Sequence, residues 1–134
     1  MDNELRWRQR FQNFEKAFEV FQRRIAEYEK DQDSEAFQMA LIQSFEMLLE
    51  LSWKTLKDYL ENEGIIATTP KAALREAFRA EIIGNGEKWM EALEQRNLTS
   101  HTYDNETAQE VLTFIDERFQ PIVCDLYHRL KQEI

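Results

Sequence analysis

The sequence predicts an all-α fold, a compact and mostly antiparallel bundle of about five helices, and three observations carry that expectation. Gly and Pro number only three and two among 134 residues, against 32% charged and 43% hydrophobic residues, a composition of long helices with few turns. Apolar residues recur at alternating steps of three and four along most of the chain, the period of a helix face rather than of a strand. The breaks between periodic stretches are short and consist of cap and turn residues. At this length the chain fits one domain over residues 1–134, with enough core to fold without disulfides or metal.

The first helix is marked by Trp7, Phe11, Phe14, Phe18, Phe21, Ile25 and Tyr28, which lie on one helical seam separated by charged and amide residues. Such an aromatic stripe is core rather than a stacking surface. Asp31 to Ser34 supply turn and N-cap chemistry for a second helix, with Phe37, Leu41, Phe45, Leu48, Leu56, Tyr59 and Leu60 on one side. Met39, Ile42, Met47, Leu49 and Trp53 widen that stripe, so this helix is expected to be buried on more than one side, centrally in the bundle and against a second subunit. Glu46, Glu50 and Lys54 follow at successive steps of four, the spacing of an exposed salt-bridged row; the alternative turns the carboxylates toward a site.

Gly64 is placed to end the second helix, and Thr69 with Pro70 to start a third as N-cap and first helical residue. The third helix, over roughly 70–82, puts Ala73, Leu74, Ala77 and Phe78 inward and Lys71, Arg75 and Arg79 outward. Those cations are the densest basic strip of the chain, read as a solvated face with a phosphate-facing strip as the alternative. Gly84-Asn85-Gly86 breaks the pattern, and a short fourth helix follows with Trp89, Met90 and Leu93 on its apolar side and Arg96 in its last turn. Asp104 or Asn105 caps a final helix carrying Ala108, Val111, Leu112, Ile115, Phe119, Ile122, Leu126 and Leu130, which Pro121 is expected to kink or interrupt.

Seventeen basic against 26 acidic residues give a net charge of -9, which opposes nucleic-acid binding by overall attraction. Any RNA contact has to be local. Cys124 stands alone and makes no intramolecular disulfide, and His128 reads as a surface residue without a role. The N-terminal stretch lacks the apolar segment of a secretory signal, and no run approaches the roughly 18 apolar residues of a membrane span. A cytoplasmic protein without membrane association is expected. Paired Cys/His spacings, H-E-x-x-H, a Gly-rich phosphate loop and serine-nucleophile motifs are all missing from the sequence.

The stretch RNLTSHTY, from Arg96 to Tyr103, gathers an arginine, an imidazole, a phenol and hydroxyls in one break between apolar segments. Its pattern is R-x4-H-x-Y, with Asn97 beside the arginine, Ser100 before the histidine and Asp104 after the tyrosine. A guanidinium grips a phosphate in bidentate fashion, and an imidazole titrates near neutrality and passes protons. Together they suit phosphoryl chemistry. An ordinary reading exists as well, since arginine suits a helix C-terminus and His, Ser and Thr are common in loops.

Two stretches together, QSFEMLLELSWKTLKDYL in the second helix and RNLTSHTYD after the fourth, resemble the HEPN-fold family of nucleotidyltransferase substrate-binding proteins, whose toxin members are called HepT. The resemblance implies a single HEPN-like bundle that forms a homodimer and works beside a separately encoded small nucleotidyltransferase, as in toxin–antitoxin pairs of the HepT/MntA type. It implies a metal-independent RNA endonuclease in which Arg96 and His101 are catalytic, with Asn97, Ser100 and Asp104 in support. It further implies that the partner neutralises the toxin by adenylylating Tyr103, so that ATP and Mg2+ belong to the partner and this chain needs no cofactor. The older family name implies the alternative, a non-catalytic subunit that binds the substrate its partner modifies. RNA brings its own nucleophile, the 2′-hydroxyl, so a proton-transfer group and a cation for the phosphorane are the minimum such an enzyme requires.

Overall fold

The computed structural model describes residues 2–134, and among these residues the regular structure is helical throughout. Helix α1 covers Asn3–Lys30, α2 Glu35–Asn62, α3 Pro70–Arg79, α4 Gly86–Leu98, α5 Asn105–Phe114 and α6 Gln120–Lys131. A short 3-10 turn, Thr99–His101, lies between α4 and α5, and a π turn, Ile115–Phe119, joins α5 to α6. Taken with that turn, α5 and α6 are one long helix, and the bundle has the five expected.

The two 28-residue helices, α1 and α2, form the main pair and run antiparallel. The start of one meets the end of the other through Arg6–Glu61 at 3.3 Å and Arg10–Asp58 at 2.9 Å. Asp58 is buried, so the Arg10 guanidinium supplies the partner its charge requires. Every residue of the predicted α1 seam, from Trp7 to Tyr28, is buried, as is the whole predicted apolar set of the α5–α6 helix. Phe119 is the hub of this core, meeting Phe45 at 4.8 Å, Phe21 at 5.6 Å and Trp89 at 5.8 Å between ring centroids, all edge to face.

Phe119 takes that place because the helix widens around it. Pro121 has no N–H to donate, and in a regular helix its ring would press on the carbonyl four residues back. The chain relieves this one turn early, with the Gln120 N–H reaching Ile115 O in a π-type bond. Pro121 therefore marks a bulge within a continuous helix.

Two helix ends share one device. Gly64, at φ 86°, closes α2 with Ile65 N donating to Leu60 O at 2.8 Å and Gly64 N to Glu61 O at 3.0 Å. The end of α3 repeats these bonds, with Ile82 N to Ala77 O at 2.9 Å and Glu81 N to Phe78 O at 3.0 Å, but the left-handed position is Glu81 at φ 62°. This turn shortens α3 relative to the predicted 70–82 and corrects one core assignment. Ile82 and Ile83 swing back into the core, and Phe78, expected inward, is left 52% exposed. On α2, Ile42 and Leu49 are buried and Trp53 half-buried, whereas Met39 and Met47 remain exposed on the single chain.

Candidate functional site

The last turn of α4 delivers Arg96, and the chain then tightens through Thr99–His101 before reversing into α5. Hydroxyl groups hold this reversal to its own backbone: Ser100 Oγ donates to Asn97 O at 3.4 Å and Thr102 Oγ1 to Thr99 O at 3.2 Å. Asp104 closes it as the N-cap of α5, its Oδ2 accepting from Thr107 N at 3.0 Å and Thr107 Oγ1 at 2.9 Å. The bond from the Thr107 backbone N–H, then that from its hydroxyl, keep the Asp104 carboxyl below its ordinary range. Ser100 and Asp104 thus shape the loop, while Asn97 lies exposed beside Arg96 at the edge of a crevice against the start of α3.

The loop is fastened to α2. Arg96 Nη1 lies 3.1 Å from Glu50 Oε2, and Thr99 Oγ1 lies 2.9 Å from Glu46 Oε2 and 2.7 Å from the Arg96 carbonyl. The same Glu50 accepts from Trp53 Nε1 at 3.1 Å and pairs with Lys54 at 3.2 Å. Burial pushes the Glu50 carboxyl up, but the hydrogen bonds from Trp53 and Lys54 and the Arg96 and Lys54 charges outweigh it, leaving the group below its usual value. The row at steps of four is therefore both things the sequence allowed: Glu50 and Lys54 bridge each other, and the two carboxylates face the loop.

His101 Nδ1 sits 3.3 Å from the Tyr103 hydroxyl, the two rings edge-on with centroids 5.9 Å apart. His101 is exposed and Tyr103 is 85% exposed, so both are open to a large substrate or an enzyme partner. Their contact couples the proton positions. When the phenol donates to Nδ1, the imidazole proton resides on Nε2, ready to be given; when Nδ1–H donates to the phenol oxygen, Nε2 carries the lone pair of a base. The loop thus carries a guanidinium braced by a carboxylate and an imidazole in contact with a phenol. Among the described residues no three His, Cys, Asp or Glu side chains converge as a metal-ligand set. No helix of the described residues is long and apolar enough to cross a membrane.

Glu46, Glu50, Trp53 and Thr99 are the members of this site that motif reading passes over. Only the four-residue spacing of the two carboxylates hinted at them.

The fold agrees with known proteins. Residues 9–132 match the model of a family described as nucleotidyltransferase substrate binding protein like. A Haemophilus influenzae protein named probable ribonuclease HepT is 43% identical over 81 residues, which is 57% of this chain and 56% of that protein, so the match spans little more than half of either. A solved Haemophilus influenzae structure, described as revealing the fold of a substrate binding domain of a nucleotidyltransferase, superposes with a TM-score of 0.81 at 30% identity, covering 91% of this chain and 99% of that one. A second, from Thermus thermophilus, gives 0.64 at 26% identity over 84% and 97% of the two chains. With the helical order and nearly the full length matched, the chain belongs to the nucleotidyltransferase substrate-binding protein-like family.

Proposed function

We propose that this protein is a HEPN-type, metal-independent RNA endonuclease, the toxin of a toxin–antitoxin pair, silenced when a small nucleotidyltransferase adenylylates Tyr103. The observation that carries the reading is the 3.3 Å contact between His101 and an exposed Tyr103, next to an Arg96 held by Glu50. The RNA 2′-hydroxyl attacks the adjacent phosphorus, the P–O5′ bond breaks, and the products are a 2′,3′-cyclic phosphate and a free 5′-hydroxyl. His101 moves one of the two protons this requires, and Arg96 meets the charge that builds on the phosphorane.

Adenylylation joins the Tyr103 oxygen to the α-phosphorus of ATP with loss of pyrophosphate, using the partner's nucleotide and Mg2+. The modified oxygen carries no proton for His101, and the added phosphodiester and nucleoside occupy the space an RNA would use. The homodimer forms on the α2 face that exposes Met39 and Met47. Because that helix also anchors the loop, a two-fold pairing there draws both Arg96–His101 loops toward one cleft.

The test uses unmodified wild type, His101→Ala and Arg96→Ala, matched by thermal melting and incubated with total RNA or tRNA in EDTA. Each variant is expected to cleave about 100-fold or more slowly, the loss typical of removing a general acid or base or its electrostatic partner. Wild type that cuts nothing across a broad RNA set, and does no harm when expressed alone, replaces the nuclease with a subunit that only binds its partner's substrate.

A further inference from the structure

We propose that the crevice between α3 and α4 is a track for the single-stranded RNA flanking the scissile bond, with Phe78 as its stacking platform and Lys71, Arg75 and Lys88 as phosphate contacts. The proposal rests on the nuclease reading and adds a second site to it. α3 and α4 pack against each other, and a hollow lies at each end of their contact. At one end a hollow of about 440 Å³ is bounded by Lys71, Leu93, Arg96 and Asn97. At the other a cleft of about 980 Å³ is bounded by Arg75, Phe78, Gly86, Lys88, Met90 and Arg118. Arg96 thus belongs to both the loop site and the crevice, and from Gly86 to Arg96 the α4 axis covers about 15 Å.

Phe78 is built to be reached. The α3 turn that buries Ile82 and Ile83 leaves its ring 52% exposed, resting on Gly86, where an added Cβ would come within 3.1 Å of the ring. Glycine leaves room for the ring close to the backbone, and about half of the residue stays exposed. Leu74 and Met90 supply an apolar floor beside it. An exposed phenylalanine at a cationic rim is the arrangement by which proteins hold bases without reading their sequence.

Charge selects the occupant. Across the protein carboxylates outnumber cations 26 to 17, yet six Lys or Arg side chains line the two ends of the crevice against three carboxylates. Three of those cations are already paired, Arg118 with Glu91 at 3.0 Å, Arg79 with Glu76 and Arg96 with Glu50, which leaves three cations against Glu87 and Glu94 among the described residues. Lys71, Arg75 and Lys88 make no ion pair among the described residues. An acidic protein with its local cation excess adjoining the residue that faces the phosphorane fits a polyanion leading into the site.

Fluorescence anisotropy on the full-length His101→Ala protein tests this with a labelled unstructured RNA of about ten nucleotides, a typical single-strand site size. Phe78→Ala is expected to weaken binding about 10-fold, as for loss of one stacked base. Arg75→Gln should weaken it and lower the slope of log affinity against log salt by about 0.7, the value for one phosphate of a single strand. Lys16→Gln, on the exposed side of α1, should change neither. Phe78 and Arg75 are exposed, so both variants should melt with the parent. The track is overturned if the parent binds no RNA, if both variants keep its affinity and salt slope, or if polyglutamate displaces the RNA at equal concentration. Cleavage separates the two readings. A wild type that cuts nothing while the variants lose RNA binding removes the nuclease and leaves the track; a wild type that cuts while Phe78→Ala and Arg75→Gln, each made in the wild-type chain, retain its KM does the reverse.

Discussion

Replacing Glu50 by alanine removes three partners from one carboxylate and separates what positions Arg96 from what Arg96 does. The Glu50 side chain is 31% exposed and that of Arg96 40%, so their ion pair is largely solvated and contributes about 0.5–1 kcal/mol. With the bonds to Trp53 and Lys54 added, Glu50→Ala is expected to cost about 1–2 kcal/mol in all, part of it recovered because water reaches the freed donors. In a domain of this size that lowers Tm by about 4–8 °C. Activity should move differently. The freed guanidinium keeps its charge, so KM for RNA should hold or fall, while loss of its fixed position should reduce kcat by about 10- to 100-fold. Steady-state cleavage at several RNA concentrations gives both numbers. Glu50→Gln supplies a further check: the folded carboxyl lies below its ordinary value, so its contribution is present above the unfolded pKa of about 4.3 and disappears as pH falls through the folded one. Wild type should lose that increment below about pH 4.3 and Glu50→Gln should not. A lower Tm with kcat within about 2-fold of wild type would refute the positioning argument, because errors of position of this kind normally cost far more.

Three other outcomes are expected. Tyr103→Phe should abolish the adenylyl mass shift produced by the partner nucleotidyltransferase with ATP and Mg2+, and should slow cleavage only about 5-fold, the worth of one neutral hydrogen bond to His101; labelling that persists reassigns the modified residue. Glu81→Gly should stabilise the protein by up to about 1 kcal/mol, since a left-handed residue with a Cβ costs about 1–2 kcal/mol against about 0.5–1 for the freedom glycine adds to the unfolded chain, and an unchanged or lower Tm counts against it. Tyr127 donates to Glu15, and that bond, aided by burial, pushes the phenol up to about 12. Its raised pKa gives stability that is complete below about pH 10, the unfolded value, and lost toward 12, so Tyr127→Phe should start about 1 kcal/mol less stable and show less alkaline loss in melts between these limits.

Helix positions were legible because burial in a bundle repeats locally. The α1 seam and the α5–α6 face need only the periodicity of their own residues, and both are buried throughout. Caps at Ser34, Thr69 and Asp104 are equally local, each side chain accepting from a backbone N–H three residues on. Phe78 was misplaced for a reason that period alone cannot express. Its spacing after Leu74 and Ala77 puts it on the apolar side, but Glu81 adopts a conformation rare outside glycine, and the two isoleucines behind it take the core volume Phe78 would have filled. Pro121 announced a disturbance without saying whether the helix would break, kink or widen. Fixing Phe119 among Phe21, Phe45 and Trp89 makes widening the outcome, and those contacts join four separate segments.

The site divides along the same line. Arg96, His101 and Tyr103 occur within eight residues, so a motif reveals them; the braces Glu46 and Glu50 come from a helix some fifty residues earlier, where spacing by four fits a solvated row equally well. Their presence poses an electrostatic problem for the proposed chemistry, because two carboxylates beside a phosphate-binding arginine repel the substrate. Glu50 offsets part of this by spending its charge on Arg96 and Lys54, and Glu46 accepts a neutral hydroxyl. The remaining attraction has to come from elsewhere on a chain of net charge -9, and the proposed track assigns it to α3, whose Lys71 and Arg75 make no ion pair among the described residues and line the hollows at its two ends. On this argument the acidic row orients the arginine while the basic strip draws in the strand. Neutralising α3 should therefore raise KM with little change in kcat, the opposite signature to Glu50→Ala in the same assay.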